Sequence, residues 1–374
     1  MTIHPKKRLQ GLDILRAIAI ILVFMSHFGF ITGFNPFWKF NDLGGQGVDL
    51  FFVLSGYLIG NQIFSITSKN ESFNIKNFYL RRFLRTLPSY YFVIIIYFLI
   101  PKINERQLTV PIWKFFIFTM NYGLHGSGFS HAWSLCVEEH FYILFPLIFL
   151  PFLTRFNKKY CFYLLFSILF FSISLRIFSY FEFVGGIGKN YMKFIYYPTH
   201  TRLDGLVFGI LTSFLRNYYK SLWFKLTQFK WSNLYFVFGV LGLFSAYTLW
   251  GVADFEMFNE IFNFTIVAMS CFLLVLSALS QHCFLYKIQI PMATKIATWS
   301  YAIYLTHKIF IYLTFKLFSS YFSSYNQSYL CVLFSIVISI AGGWLVYRFV
   351  ELPFLKLRDI IAPIKSEKVA SARE

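Results

Sequence analysis

Ten runs of mainly apolar residues, most of them near the length of a membrane-crossing helix, constrain this chain more than any other feature. They lie at about 11–33, 47–66, 88–102, 132–154, 160–180, 199–216, 230–250, 259–279, 298–318 and 329–350. A hydrocarbon core of about 30 Å asks for roughly 20 such residues per helical crossing. Lipid offers no partner to an unpaired backbone amide, so helices are the expected solution. Composition agrees: 57% of the 374 residues are hydrophobic, 13% are charged, and there are 51 Phe and 25 Tyr. An ordinary soluble domain carries about 25% charged residues. A soluble globule, a disordered chain and a fibrous protein are therefore disfavoured. The expected fold class is all-α, a polytopic membrane protein with about ten transmembrane helices around a polar cavity. Residues 1–355 form the expected integral-membrane domain and 356–374 a short polar cytoplasmic tail. The stretch 112–122 is too short to cross and is expected to lie in the interface or to re-enter.

The net charge of +18 would suggest nucleic acid in a soluble protein. Here most Lys and Arg sit in short loops between apolar runs, and no basic stripe with a nucleic-acid-binding motif appears. With the N-terminus in the cytoplasm, 23 of them fall in inner segments and six in outer ones. That bias predicts both termini inside and an even number of spans. The basic N-terminus MTIHPKKRLQ precedes an apolar run that holds Asp13 and Arg16, with no small-residue cleavage site after it. A retained first span is expected. Cys136, Cys161, Cys271, Cys283 and Cys331 are isolated, so neither a disulfide framework nor a metal site is expected.

Charges inside spans are costly and mark polar cavities or functional sites. In span one, Arg16 and His27 are 11 residues apart. At 100° per residue they share a face, about 16 Å apart along the axis. An Arg at the cytoplasmic mouth can meet a phosphate, and a deep His can act as a general base. A snorkelling Arg and a hydrogen-bonded core His are the alternative. In span two, Asp49 stands at the outer end, placed to orient His27 or simply to satisfy a helix terminus. Ser55 and Gly56 read as helix-packing residues. Arg81, Arg82 and Arg85 fall on neighbouring positions of one helical face ahead of Pro88, which marks the entry to span three. Three guanidiniums there suit a polyphosphate, or serve topology alone. His131, Ser134, Glu138 and Tyr142 form a polar stripe in span four, and the adjacent Glu138 and Glu139 are hard to explain by packing. Arg202 and Asp204 point to opposite sides of their helix and should pair with other helices. Ser300, Tyr304 and His307 share a face in span nine.

Together these segments resemble the acyltransferase 3 family of membrane O-acyltransferases. The matching pieces are LDILRAIAIILVFMSH with its Arg-x10-His spacing, GVDLFFVLSGYLI, FYLRRFLRTLPSYY, HAWSLCVEEHFYILFP, TRLDGLVFG, SYAIYLTH and YRFVELPF. They come in the family's order and cover nearly the whole chain. The resemblance implies a ten-span enzyme of the bacterial inner membrane that takes an acyl group, usually acetyl, from cytoplasmic CoA. It delivers the group to a hydroxyl, commonly on a cell-surface glycan. It assigns functional positions to Arg16, His27, Asp49, Arg82, Arg85, Trp133 and one of Glu138 and Glu139. His140 stands where the family commonly has Gln, a departure expected to affect the acceptor pocket. Some members carry an extra SGNH-type domain; none is expected here, so the acceptor falls to the membrane domain or a partner.

Thioester-to-hydroxyl transfer needs a base and oxyanion donors. On this reading the catalytic candidates are His27, Asp49, Glu138 and Glu139, with Asp49 or a Glu fixing the His27 tautomer. His131 and His307 compete as bases. Arg16, Arg81, Arg82 and Arg85 are expected to bind acetyl-CoA, the donor substrate. Trp133, Ser134, Tyr142, Arg202 and His307 are expected on the acceptor side. The expected partners are acyl-CoA, a free or lipid-linked glycan and membrane lipids, with no nucleic acid and no metal. Direct transfer and a covalent acyl-His stay open, as does a non-glycan acceptor. The rival class is a transporter or flippase of a lipid-linked or polar solute, which would not consume acetyl-CoA.

Overall fold

A computed structural model of the chain describes residues 9–34, 43–124, 126–185, 190–249, 255–318 and 325–363. The charges at 6–8, 39, 189, 365, 368 and 373, and the tail beyond 363, lie outside the described residues. The described residues hold α-helices and no strand. In chain order they are α1 (Gln10–Thr32), α2 (Gly44–Thr67), α3 (Ile75–Leu99), α4 (Ile112–Phe116), α5 (Trp133–Arg155), α6 (Tyr160–Ser179), α7 (Asp204–Tyr218), α8 (Lys220–Thr227), α9 (Asn233–Leu249), α10 (Glu256–Leu279), α11 (Phe284–Lys287), α12 (Pro291–Phe318), α13 (Tyr325–Val346) and α14 (Leu352–Ile361).

Each of the ten apolar runs meets a helix. Among the described residues six helical segments are long and apolar enough to cross a membrane: 10–32, 44–67, 130–155, 160–184, 256–279 and 329–361. The helix α9 is apolar but shorter, at 17 residues. The other three runs fall on α3 and α12, whose Lys and Arg dilute their apolar character, and on the 15-residue α7. The chain is a multi-pass membrane protein, and its outward faces carry the lipid-compatible surface: Phe166, Phe170, Phe171 and Phe178 of α6 are all exposed. An apolar surface of this extent is foreign to a water-soluble monomer.

Two boundaries differ from expectation. Pro88 lies inside α3, which starts at Ile75 with the Asn74 side chain capping the Asn77 amide. Proline is tolerated within membrane helices because neighbours satisfy the freed carbonyl. The arginines at 81–85 therefore ride on the same helix as span three. Residues 352–361 of the expected boundary region form α14, which packs on α3. The segment around 112–122 makes only the five-residue α4, tucked against α3 through a Tyr90 hydroxyl bond to the Phe115 carbonyl, 2.9 Å.

The densest helix contact is α2 against α7. A Cβ on Gly209 would collide with the Val53 carbonyl, and one on Gly56 with the Leu206 carbonyl. Both positions need glycine for this close approach, as membrane helices packed on small residues do. The crossing fixes α2; α1 packs on α2 and α12 packs on α1, and the polar faces of α1, α2, α3, α5 and α12 turn toward one another.

Candidate active site

Between those helices lies a cavity of about 190 Å³. Its polar lining includes Arg16 of α1, Ser55 of α2, Arg82 and Arg85 of α3, Ser134, Glu138 and Tyr142 of α5, and Ser300, Tyr301 and Tyr304 of α12. Three guanidiniums from two helices thus face one space. Glu138 is held there by three contacts. The Tyr142 hydroxyl donates to it at 2.5 Å, the Ser55 hydroxyl donates at 3.1 Å, and Arg82 pairs with it at 3.5 Å. The Arg82 guanidinium lies 3.5 Å over the Tyr142 ring, a cation–π stack that fixes its plane. Glu139 pairs with Arg82 from 3.9 Å and is buried behind the wall. Of the two adjacent carboxylates, Glu138 is the one that meets the cavity.

At the cavity's other end, the Ser134 and Tyr304 hydroxyls lie 2.6 Å apart, and Tyr304 also donates to the His131 carbonyl at 2.7 Å. Beyond them stand three imidazoles. His27 and His307 have ring centroids 4.9 Å apart, His131 and His307 5.2 Å, and His27 and His131 6.0 Å. His307 Nε2 is 3.0 Å from His27 Nδ1. His131 Nε2 is 3.3 Å from the Leu305 carbonyl, and its Nδ1 is buried without a partner among the described residues. The three histidines that compete for the role of base in the sequence therefore form one cluster. Next to it, Lys308 forms a buried ion pair with Glu105 and donates to Ser130 at 3.2 Å.

The polar stripe read from α5 holds in space: His131 belongs to the imidazole cluster, and Ser134, Glu138 and Tyr142 line the cavity. Arg16 lies in the cavity and His27 in the cluster, so the shared face of α1 spans both. Ser55, read as a packing residue, instead hydrogen-bonds Glu138 in the cavity wall. Gly56 does pack.

Four of the expected site residues lie away from the cavity lining. Asp49 does not orient His27: its carboxylate accepts from Arg202 at 2.8 Å, both side chains buried. Arg202 in turn is not at the cavity. It is boxed by Phe264, Tyr196, Trp133 and Phe52, with its guanidinium carbon 3.7, 4.8, 5.0 and 6.0 Å from the four rings. Trp133 is a wall of that box, packed on Tyr196 at 4.9 Å, and is absent from the cavity lining. Arg81 turns away from Arg82 and Arg85, donating to the Ala362 carbonyl at 2.5 Å and to Asp359 at 3.1 Å. A single residue step along α3 separates the Arg82 guanidinium in the cavity from the Arg81 guanidinium docked on α14.

The expected pairing of Arg202 and Asp204 with other helices is found: Asp204 accepts two bonds from Arg176 of α6, at 2.6 and 3.0 Å. His140, the departure from the family pattern, sits outside the cavity and bonds Thr199 at 2.7 Å. Residues missed in the sequence are Tyr301, Arg176 and the Glu105–Lys308 pair. Lys308 follows His307 directly within span nine, and an intramembrane Lys was the available signal. Among the described residues no group of His, Cys, Asp and Glu is arranged to hold a metal ion.

A family model described as an acyltransferase domain matches residues 9–348. Among curated proteins, relatives from Staphylococcus aureus strains COL and MW2, provisionally named O-acetyltransferases, are 27% identical over 380 aligned positions, covering 95% of this chain and 59% of theirs. O-acetyltransferase OatA of S. aureus strain NCTC 8325 is 29% identical over 227 positions, covering 57% of this chain and 35% of its own. The chain thus spans about three fifths of the length of the first of these relatives. No solved structure matches it.

Proposed function

This chain belongs to the acyltransferase family whose domain it carries from residue 9 to 348, and on that premise we propose that it is a membrane O-acyltransferase. It moves an acyl group, acetyl first among the candidates, from cytoplasmic acyl-CoA to a hydroxyl of a cell-surface glycan such as a lipopolysaccharide O-antigen or an exopolysaccharide. Its place is the bacterial inner membrane, with ten spans and both termini cytoplasmic, as the charge bias favours. The names of the staphylococcal relatives support O-acetyl transfer as the reaction.

The observation that carries the reading is the succession along one axis of an arginine-lined cavity, a pair of hydroxyls and a cluster of imidazoles. Phosphates of CoA suit Arg16, Arg82 and Arg85. At about 190 Å³ the cavity is smaller than the roughly 300–1,000 Å³ that encloses a drug-sized ligand. It suits the slender thioester arm, with the nucleotide left outside. His27 Nε2 has no partner among the described residues and is the proposed base. It takes the acceptor hydroxyl's proton as that oxygen bonds to the thioester carbon. The C–S bond then breaks, and the leaving thiolate takes the proton from the imidazolium. The Tyr304 proton is given to the His131 carbonyl, so the Ser134 hydroxyl beside it is the neutral donor proposed for a developing oxyanion.

The test is His27→Ala in cells, with the acetyl content of the envelope glycan measured by mass spectrometry and the protein level measured in the same membranes. Loss of a general base costs about 10²–10⁴-fold in rate, so acetylation should fall to background at normal protein level. Acetylation at the parent rate would remove His27 from the chemistry.

A further inference from the structure

Resting on the proposal that His27 is the base, we infer that His307 is its positioning residue: it holds the His27 proton on Nδ1 and so leaves Nε2 as the basic nitrogen.

The inference follows from which atoms surround each ring. His307 Nδ1 lies 2.7 Å from the Tyr304 carbonyl and 3.2 Å from the Ile303 carbonyl. Carbonyl oxygens only accept, so His307 carries its proton on Nδ1. In the neutral ring Nε2 is then a lone pair. That lone pair faces His27 Nδ1 at 3.0 Å. The other neighbour of His27 Nδ1 is the Val23 carbonyl, also at 3.0 Å and also an acceptor. With two acceptors before it, His27 Nδ1 must be the protonated nitrogen. The Val23 carbonyl belongs to the same helix, four residues back, where the α-helical ladder already uses it. His307 supplies the acceptor that is not shared, from a residue 280 positions away.

The consequence for the reaction is specific. When Nε2 takes the hydroxyl proton, positive charge spreads over the ring and the Nδ1–H bond to His307 becomes charge-assisted and stronger. His307 keeps its own proton on Nδ1, donated to the Tyr304 carbonyl throughout, so it neither gives nor takes one. No carboxylate hydrogen-bonds His27 among the described residues. A neutral imidazole thus does here what the sequence assigns to Asp49 or a Glu. His131 is set differently: its Nε2 faces the Leu305 carbonyl, so its lone pair is on Nδ1, and its hydrogen bonds involve neither of the other two rings.

Transfer of label from radiolabelled acetyl-CoA into the envelope glycan, in membranes carrying the full chain at measured protein level, tests this. His307→Ala should lower the rate by about 10²–10⁴-fold, since a base in the wrong tautomer contributes nothing. His307→Gln, whose side-chain oxygen can accept in place of Nε2, should stay within about tenfold of the parent. The decisive variant adds His27→Nδ1-methylhistidine to His307→Ala. The methyl group fills the vacated space and chemically fixes the lone pair on Nε2, so the rate should recover by at least about tenfold. A purely structural role for His307 would show no such recovery. If His307→Ala and His307→Gln are equally inactive and methylation rescues neither, the tautomer role is wrong. It is also wrong if His307→Ala runs at the parent rate while His27→Ala is inactive, and the base assignment then survives. If His27→Ala itself is active, the base assignment fails and takes this inference with it.

Discussion

Asp49→Asn should cost stability and not chemistry, and the size of the cost follows from its surroundings. The side chains of Arg202 and Asp49 are 0% and 6% exposed, and their ion pair is 2.8 Å long. Among the described residues, Arg202 Nε and Nη1 have no hydrogen-bond partner, and Asp49 is the one carboxylate that hydrogen-bonds this guanidinium. For charge centres about 4 Å apart, the attraction is about 4 kcal/mol at an effective dielectric of about 20. Removing one partner of such a pair, which leaves a buried uncompensated charge, costs about 3–5 kcal/mol. The aromatic box softens the loss through cation–π attraction, and the asparagine oxygen still accepts one bond, so the lower half of that range is expected. The assay is heating in detergent with a thiol-reactive fluorophore, because all five cysteines are free and buried and report as the fold opens. Asp49→Leu combined with Arg202→Met should regain most of the loss, since a buried pair replaced by apolar groups is often neutral and Met sulfur packs well on aromatic rings. If Asp49→Asn opens at the parent temperature yet stops acetyl transfer, the pair is not what Asp49 is for, and the carboxylate acts on the reaction.

Three further outcomes are expected. Arg85→Ala should raise the KM for acetyl-CoA by about 10–100-fold, the equivalent of one charge-assisted hydrogen bond, while Arg81→Ala, docked on α14, should leave it within about twofold; equal effects in membrane assays would deny that the two guanidiniums differ. Reporter fusions after residue 156 and after residue 253 should read inside and outside respectively, and the opposite reading at either point would overturn the ten-span arrangement. Gly209→Ala should lower stability by about 1–3 kcal/mol, the usual cost of overpacking, read by the same thiol-labelling melt; an unchanged melt would mean that α2 and α7 can separate without penalty.

What the sequence made legible was what a single helix displays. The stripe His131, Ser134, Glu138 and Tyr142, and the shared face of Arg16 and His27, follow from periodicity, and both survive in three dimensions. Partners across helices were another matter. Asp49 and Arg202 are 153 residues apart, and His27 and His307 280. The sequence offered each group several opposite charges or acceptors, and only packing selects among them. The Gly56–Gly209 crossing decides that Asp49 faces α7 rather than α1, and no local pattern carries that information. Pro88 misled for a related reason: its meaning as punctuation depends on whether the chain around it is in water or packed among helices. Arg81 and Arg82 look equivalent in a cluster of three, yet the 100° between consecutive residues sends them to different neighbours.

The spacing of Arg16 and His27 on α1 has an electrical side. If, as proposed, the phosphates of the donor are held among the arginines and the acceptor hydroxyl near the imidazoles, the acetyl group is the only part of the donor that passes the Ser134–Tyr304 pair. It carries no charge. Moving one elementary charge through a membrane at 100 mV costs or yields about 2.3 kcal/mol, and on this arrangement the transferred fragment incurs none of it. The proposed reaction should then proceed at the same rate in energised and de-energised vesicles, driven by the thioester alone.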